Sequence, residues 1–370
     1  MADPLRVLMT ADTVGGIFSY AVTLAEALTA RGARVTLATM GGRMRPDQAG
    51  LVRRIPWVTV VESDHALEWS PDPWRDVDRA GAWLLDLEQK ARPDIVHLNG
   101  YCHGALPWRA PAIVVAHSCV LSWWKEVWRE PAPSRYARYA AEVTRGLHAA
   151  QAVVAPTAAM LAAIHEHYGK PRNDLVIPNG APIPPAPTGP REPCVLAAGR
   201  IWDEAKNLRT LARVAPRLRA PVYVAGSDHH PDGTYRTLPS VRSLGLLSAE
   251  ALHAWMSRAA VFALPARYEP FGLAALEAAA RGAALVLGDI PSLREVWSDA
   301  AIFVPPEDDA ALGSALERLL SDEPMRHDLA LRARRRASTF HVRHQADHYV
   351  ALYQSLIHDD SRSQSERPCA

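Results

Sequence analysis

The sequence lacks most of what several protein classes require. Its 370 residues contain four cysteines (Cys102, Cys119, Cys194 and Cys369), with no CxxC pair and no metal-ligand spacing. A disulfide framework is therefore not expected, and a reducing compartment is. No apolar run approaches the ~18 residues of a membrane-spanning helix. Neither charge sign dominates: 41 Lys and Arg stand against 40 Asp and Glu, a formal net charge of +1, so no electrostatic case for nucleic acid arises. Met1-Ala-Asp-Pro leads straight into an apolar stretch without the basic and apolar regions of a secretory leader, and a cytoplasmic location is expected. The dinucleotide fingerprint is missing too. After the first apolar run come Gly15-Gly16 and then Ile17-Phe18-Ser19-Tyr20, not G-x-G-x-x-G. Thr39-Met40-Gly41 stands where an acidic ribose ligand would end the second strand.

What is present describes a globular α/β protein. Hydrophobic residues make up 48% and charged residues 22%, and the length suits two domains. Leu5–Thr10 reads as a strand, Ile17, Ala21, Leu24 and Leu28 form a helical stripe, and Arg34–Thr39 reads as a second strand. That is a βαβ unit, which implies a parallel sheet. Further buried-strand runs lie at 58–61, 95–98, 113–116 and 152–155. The stretch 176–190 is dense in proline, and a second alternation follows, with strands at 195–198, 222–225, 260–264, 284–287 and 301–304. The expected architecture is two Rossmann-like, doubly wound parallel-sheet domains: an N-terminal domain over 1–178, a linker at 179–190 and a C-terminal domain over 191–340. A helix over 341–358, with Ala346, Tyr349, Val350 and Tyr353 on one face, and a frayed polar tail at 359–370 complete the chain.

The most informative segment is Glu269-Pro-Phe-Gly-Leu-Ala-Ala-Leu-Glu277. It follows the apolar run 259–264, so Glu269 projects from the carboxyl end of a strand, where open α/β sheets bind ligands. Phe271, Gly272 and Leu273 open the next helix, whose free N–H groups and dipole favour an anion. Glu277 lies further along that helix. A bland alternative is two surface carboxylates on an alanine-rich helix; Tyr268 and the intervening Pro-Phe-Gly-Leu weigh against it. Gly199-Arg200 through Lys206-Asn207 also follows an apolar run, and this basic pair matches the charge of a diphosphate. His117 ends the run 113–116, and Gly15-Gly16 forms a loop that lets backbone N–H groups approach a phosphate or sugar.

The glutamate pair resembles the E-x7-E signature of the family 4 retaining glycosyltransferases, which have the two-domain GT-B fold. Gly15-Gly16, His117, Pro178-Asn179-Gly180, Gly199-Arg200, Lys206 and Gly226 occur in the family's order, so the likeness spans nearly the whole chain. It implies a site in the cleft between two domains, with Glu269, His117 and the N–H groups of Phe271, Gly272 and Leu273 at the donor sugar. By the same resemblance Arg200 and Lys206 hold the donor diphosphate, and Glu277 holds the ribose. The expected activity is sugar transfer from a nucleotide sugar, UDP-sugar favoured, with retention by front-face attack. No cofactor and no metal are expected, since the nucleotide sugar is a substrate. Asp76-Val77-Asp78 is formally a D-x-D metal motif, but Val77, Ala80, Leu84 and Leu87 make it part of an amphipathic helix with both Asp residues turned to water. Trp123, Trp124 and Trp128 are the acceptor-side candidates in domain one. They suit stacking on a sugar or aglycone, or a weak peripheral membrane contact. Acceptor and oligomeric state stay open. An epimerase of the same fold and a non-catalytic nucleotide-sugar-binding protein are the rival readings.

Overall fold

The computed structural model describes residues 3–186, 189–229 and 233–365; positions 187–188 of the expected linker and 366–370 of the expected tail lie outside it. The chain forms two compact units. One comprises the residues up to 122, Pro131–Asn179 and those from Val342 onward; the other comprises Trp123–Glu130 and Gly180–His341. The helix Val342–Ser365 thus belongs to the first unit, where Tyr20 Oη donates to Tyr349 Oη at 2.7 Å.

The first unit is built on seven parallel strands: β1 (Arg6–Asp12), β2 (Arg34–Met40), β3 (Val58–Glu62), β4 (Ile95–Leu98), β5 (Ala112–Val115), β6 (Ala152–Ala155) and β7 (Asp174–Val176). Their spatial order is β3-β2-β1-β4-β5-β6-β7. In the second unit β8 (Glu192–Ala198), β9 (Val222–Ala225), β10 (Arg242–Gly245), β11 (Ala259–Leu264), β12 (Ala284–Gly288) and β13 (Ile302–Val304) form a parallel sheet ordered β10-β9-β8-β11-β12-β13. Each chain path runs outward from a central strand and then resumes on that strand's other side. The reversals fall between β1 and β4 and between β8 and β11, and crevices open at such points beyond the strands' carboxyl ends.

Apolar continuity makes these strands. Every residue of β11 and β12 is buried, as expected where helices cover both faces of a parallel sheet. Phe262 on β11 is fully buried beside Leu276, Leu285 and Trp297 in one core cluster, and truncating it to alanine would cost about 3–5 kcal/mol. Gly226, just after β9, has φ +154°, and a Cβ there would lie 1.8 Å from the Gly199 carbonyl oxygen. Glycine is what lets the two loops behind β8 and β9 touch.

Several expectations change. The sequence reading missed β7 and β10: they are edge strands of three and four residues without a fully buried position, so they carry no apolar run. The tail is helical to Ser365 rather than frayed from 359. Asp78 is exposed, but Asp76 is not simply turned to water. Half-buried in the first turn of the helix Trp74–Ala91, it accepts the Ala66 N–H at 3.1 Å and pairs with Arg79. Trp123–Glu130, placed in domain one by the sequence, clusters with the second unit.

Candidate active site

In the second unit the loops after the adjacent strands β8 and β11 are tied together. Asn207, in the left-handed conformation with φ +55°, donates its amide to the Pro265 and Pro306 carbonyls at 2.9 and 2.7 Å. The Arg267 N–H reaches the Ala205 carbonyl at 2.9 Å. This stapling brings Lys206 to Glu269: Nζ donates to Oε2 at 2.6 Å, and the side chains are only 19% and 14% exposed. The other carboxylate oxygen of Glu269 accepts the Gly272 N–H at 2.9 Å and, at the long limit, the Phe271 N–H at 3.5 Å. Gly272 begins the helix Leu273–Ala280 at φ +88°, a left-handed turn that glycine adopts without penalty. Ser292 Oγ donates to the Glu269 carbonyl, fixing the backbone as well. Two of the three N–H groups expected to face an anion, those of Phe271 and Gly272, are therefore turned onto Glu269 just ahead of the helix.

Arg200 is held in a parallel way. Its Nη2 donates to Asp203 Oδ2 at 2.6 Å, and its guanidinium lies 4.9 Å from the Trp202 ring centroid. Asp203 is buried and also accepts the Ala205 N–H and the Trp123 indole N–H, both at 3.1 Å. Burial alone would raise its pKa. The charges of Arg200 and Lys206 and the hydrogen bonds from Arg200 and Trp123 outweigh burial and hold the carboxyl below its ordinary value. Glu277 is half-buried, with Oε2 3.7 Å from His253 Nε2.

Trp123, Trp124 and Trp128 lie on the helix Val120–Trp128, and Trp123 meets the other two rings edge-on at 5.8 and 6.3 Å. Trp123, Trp128 and Trp202 line a cavity of about 450 Å³ together with Asp203, Glu204 and Arg209. Trp123 and Trp128 thus meet the basic loop rather than forming a separate surface.

The first unit carries the other predicted residues at its own strand reversal. Gly15 has φ +84° and caps the helix Gly16–Thr29 behind β1. His117 lies beyond β5; its Nε2 is 2.8 Å from Asn99 Oδ1, and its ring stands edge-on to Tyr20 at 4.4 Å. Burial, with a smaller push from His97, lowers its pKa to about 3. Asn207 and Ser292 escaped the sequence reading because their roles depend on partners remote in sequence, whereas Asp203 also bonds Arg200 and Ala205 close by. For Asp203 a signal existed: an acid between Arg200 and Lys206.

Comparison with known proteins decides what this framework is. Residues 14–183 match the family described as Glycosyltransferase Family 4, and residues 192–322 match Glycosyl transferases group 1. The chain belongs to the family 4, group 1 glycosyltransferases. The enzyme is 26% identical to a glycogen synthase of Mycobacterium tuberculosis, over 90% of this chain and 91% of the relative. It is also 26% identical to a D-inositol 3-phosphate glycosyltransferase of Geodermatophilus obscurus, over 93% and 85%. Sucrose-phosphate synthase from Thermosynechococcus elongatus superposes with a TM-score of 0.79 at 21% identity, covering 96% of this chain and all of that one. Anabaena HepE in complex with UDP and glucose superposes at 0.74 and 16% identity, covering 95% and all. The transferase has the GT-B fold. None of its described helices is long and apolar enough to cross a membrane.

Proposed function

We propose that the transferase moves a sugar from a nucleoside diphosphate sugar, UDP-sugar favoured, to an acceptor hydroxyl with retention and without a metal ion. One observation carries the reading: Lys206 and Glu269 meet at 2.6 Å where β8 and β11 end. That places a cation and a carboxylate at the strand reversal, where α/β sheets bind phosphorylated ligands. In this reading Lys206 and Arg200 neutralise the diphosphate, Glu269 accepts a hydroxyl of the donor sugar, Glu277 accepts one of the ribose, and His117 contacts the donor sugar. The acceptor oxygen bonds to the anomeric carbon as the bond from that carbon to phosphate oxygen breaks. The departing phosphate oxygen takes the acceptor's proton, and nucleoside diphosphate leaves. Trp123, Trp124 and Trp128 offer ring faces on which an acceptor sugar or aglycone stacks. The complex of the HepE neighbour with UDP and glucose supports a uridine donor.

Incubation with UDP-, GDP- and ADP-sugars, following nucleotide release, tests this. Slow release of UDP, accelerated by acceptor sugars, is expected. Interconversion of the sugar without release, or binding without turnover, would refute transfer.

A further inference from the structure

The first unit contains a buried hydrogen-bonded chain that the transfer reading leaves unused. It runs from the helix Val342–Ser365 through β4 to His117. Tyr353 Oη lies 2.6 Å from His97 Nδ1, His97 Nε2 lies 3.2 Å from Asn99 Oδ1, and His117 Nε2 lies 2.8 Å from that same oxygen. Tyr353, His97 and Asn99 are all buried.

The chemistry of the donors fixes the direction of this chain. Asn99 Nδ2 is 2.6 Å from the Thr10 carbonyl on β1, an oxygen that can only accept. The Asn99 N–H is held by Thr10 Oγ1 at 2.9 Å. The amide therefore has its NH2 toward β1 and its oxygen toward both histidines. An amide oxygen has two lone pairs and no proton, so each imidazole must bring its proton on Nε2. His97 Nδ1 is then an acceptor and takes the Tyr353 hydroxyl.

We propose that Asn99 is a positioning residue for His117: its amide oxygen holds the ring with its proton on Nε2, leaving Nδ1 as a lone-pair acceptor for a hydroxyl of the donor sugar. Tyr353 and His97 brace Asn99 from behind and connect that choice to the packing of the C-terminal helix. The titratable groups that face the histidine pair are Tyr20 on the helix Gly16–Thr29 and Tyr349 and Tyr353 on the helix Val342–Ser365. Burial raises the pKa of all three phenols, so none supplies an anion to stabilise a second proton. Burial likewise pushes both imidazoles down to about 3, which keeps each ring neutral. The role of Nδ1 rests on the reading that places His117 at the donor sugar; the tautomer does not.

The test is long-range proton–nitrogen NMR on the full-length, histidine-labelled protein at pH 7, with His117→Gln to assign the ring. His117 should show a protonated Nε2 and a bare Nδ1. Asn99→Leu, similar in volume but without the acceptor, should scramble the two forms. It should also slow UDP-glucose turnover by about tenfold to a hundredfold, the scale of second partners of functional histidines, while UDP binding is unchanged. UDP-glucose, but not UDP, should move the Nδ1 resonance. A proton on Nδ1, or a doubly protonated ring, in the wild-type spectrum overturns the positioning role even if Asn99→Leu does not fold. The stated tautomer with no response to UDP-glucose beyond that to UDP refutes the sugar contact and the role built on it, while the Asn99 geometry stands.

Discussion

Replacing either partner of the Lys206–Glu269 pair should change UDP affinity in opposite directions. The pair is charge-assisted, short at 2.6 Å and largely shielded. On the proposed reading an incoming diphosphate must compete with Glu269 for the ammonium. Glu269→Gln keeps a side chain of the same shape and replaces the ion pair by a hydrogen bond from the ammonium to a neutral amide oxygen. The charge–charge attraction of this partly shielded pair, about 1 kcal/mol, then disappears from the competition. UDP should then bind about fivefold more tightly, while transfer slows because the sugar hydroxyl meets a neutral amide oxygen in place of a carboxylate. Lys206→Met removes the cation and should weaken UDP. It should also slow turnover by about 2–4 kcal/mol of transition-state stabilisation, the scale of one preorganised donor. In that variant Glu269 Oε1 keeps the Gly272 N–H at 2.9 Å while Oε2 loses its partner, so some stability is lost as well, and thermal unfolding of each variant is measured beside the titration. Calorimetric titration of UDP into the three proteins at low ionic strength measures the affinities. If Glu269→Gln weakens UDP as much as Lys206→Met does, the glutamate is not competing for the cation and the division of roles is wrong.

Activity should persist in chelator, because the compensating charge is assigned to Arg200 and Lys206. Loss with EDTA and recovery with Mg²⁺ or Mn²⁺ would overturn that. Asp78→Ala should be silent in both turnover and stability. Asp76→Ala should leave turnover intact yet cost about 1 kcal/mol of stability, since the Ala66 N–H loses its acceptor. Stability should also fall on acidification below pH 6.5. His97 and His117 have pKa values pushed to about 3 in the folded chain, against 6.5 unperturbed, so the unfolded chain binds the extra protons. Stability from this source is complete above pH 6.5 and is lost as pH falls toward 3, at about 2 kcal/mol per histidine between pH 7 and 5. Denaturant titration at the two pH values should show a smaller loss in His117→Gln than in the wild type; equal losses would mean the ring titrates normally.

The alternation of strands and helices was legible because parallel strands covered on both faces must be apolar throughout, as β11 and β12 are. Edge strands escape that rule: β3 and β13 still carry apolar runs and were read, whereas Asp174–Val176 and Arg242–Gly245 carry none, and β7 and β10 were missed for that reason. Sheet order was not legible either, because pairing β8 with β11 joins segments far apart in sequence. The site divided along the same line. Glu269, Gly272, Arg200 and Lys206 stood out as residue types at strand ends. The stapling by Asn207 did not, since its acceptors lie 58 and 99 positions away. Trp123 was recognised as a ring to stack on, while its bond to Asp203 spans 80 positions and emerged only with the fold.

The pairing of both candidate cations with carboxylates bears on how the site recognises a diphosphate. Two unpaired cations side by side in a half-shielded pocket would repel each other and require water to stay in place. Here each is anchored, Arg200 by Asp203 and Lys206 by Glu269, so the local charge is balanced before any ligand arrives. Anchoring does not exhaust the donors of Lys206: an ammonium carries three, and Glu269 engages one of them at hydrogen-bond distance. The carboxylates thus orient the cations and at the same time discriminate against weak anions. An entering group must offer enough charge to share the cations with acids already in contact, as a diphosphate with about two negative charges does. A single carboxylate or a neutral sugar would not. On the proposed reading Glu269 serves twice: it holds Lys206 in position in the empty enzyme, then yields part of that contact to the diphosphate and turns its freed oxygen to the sugar.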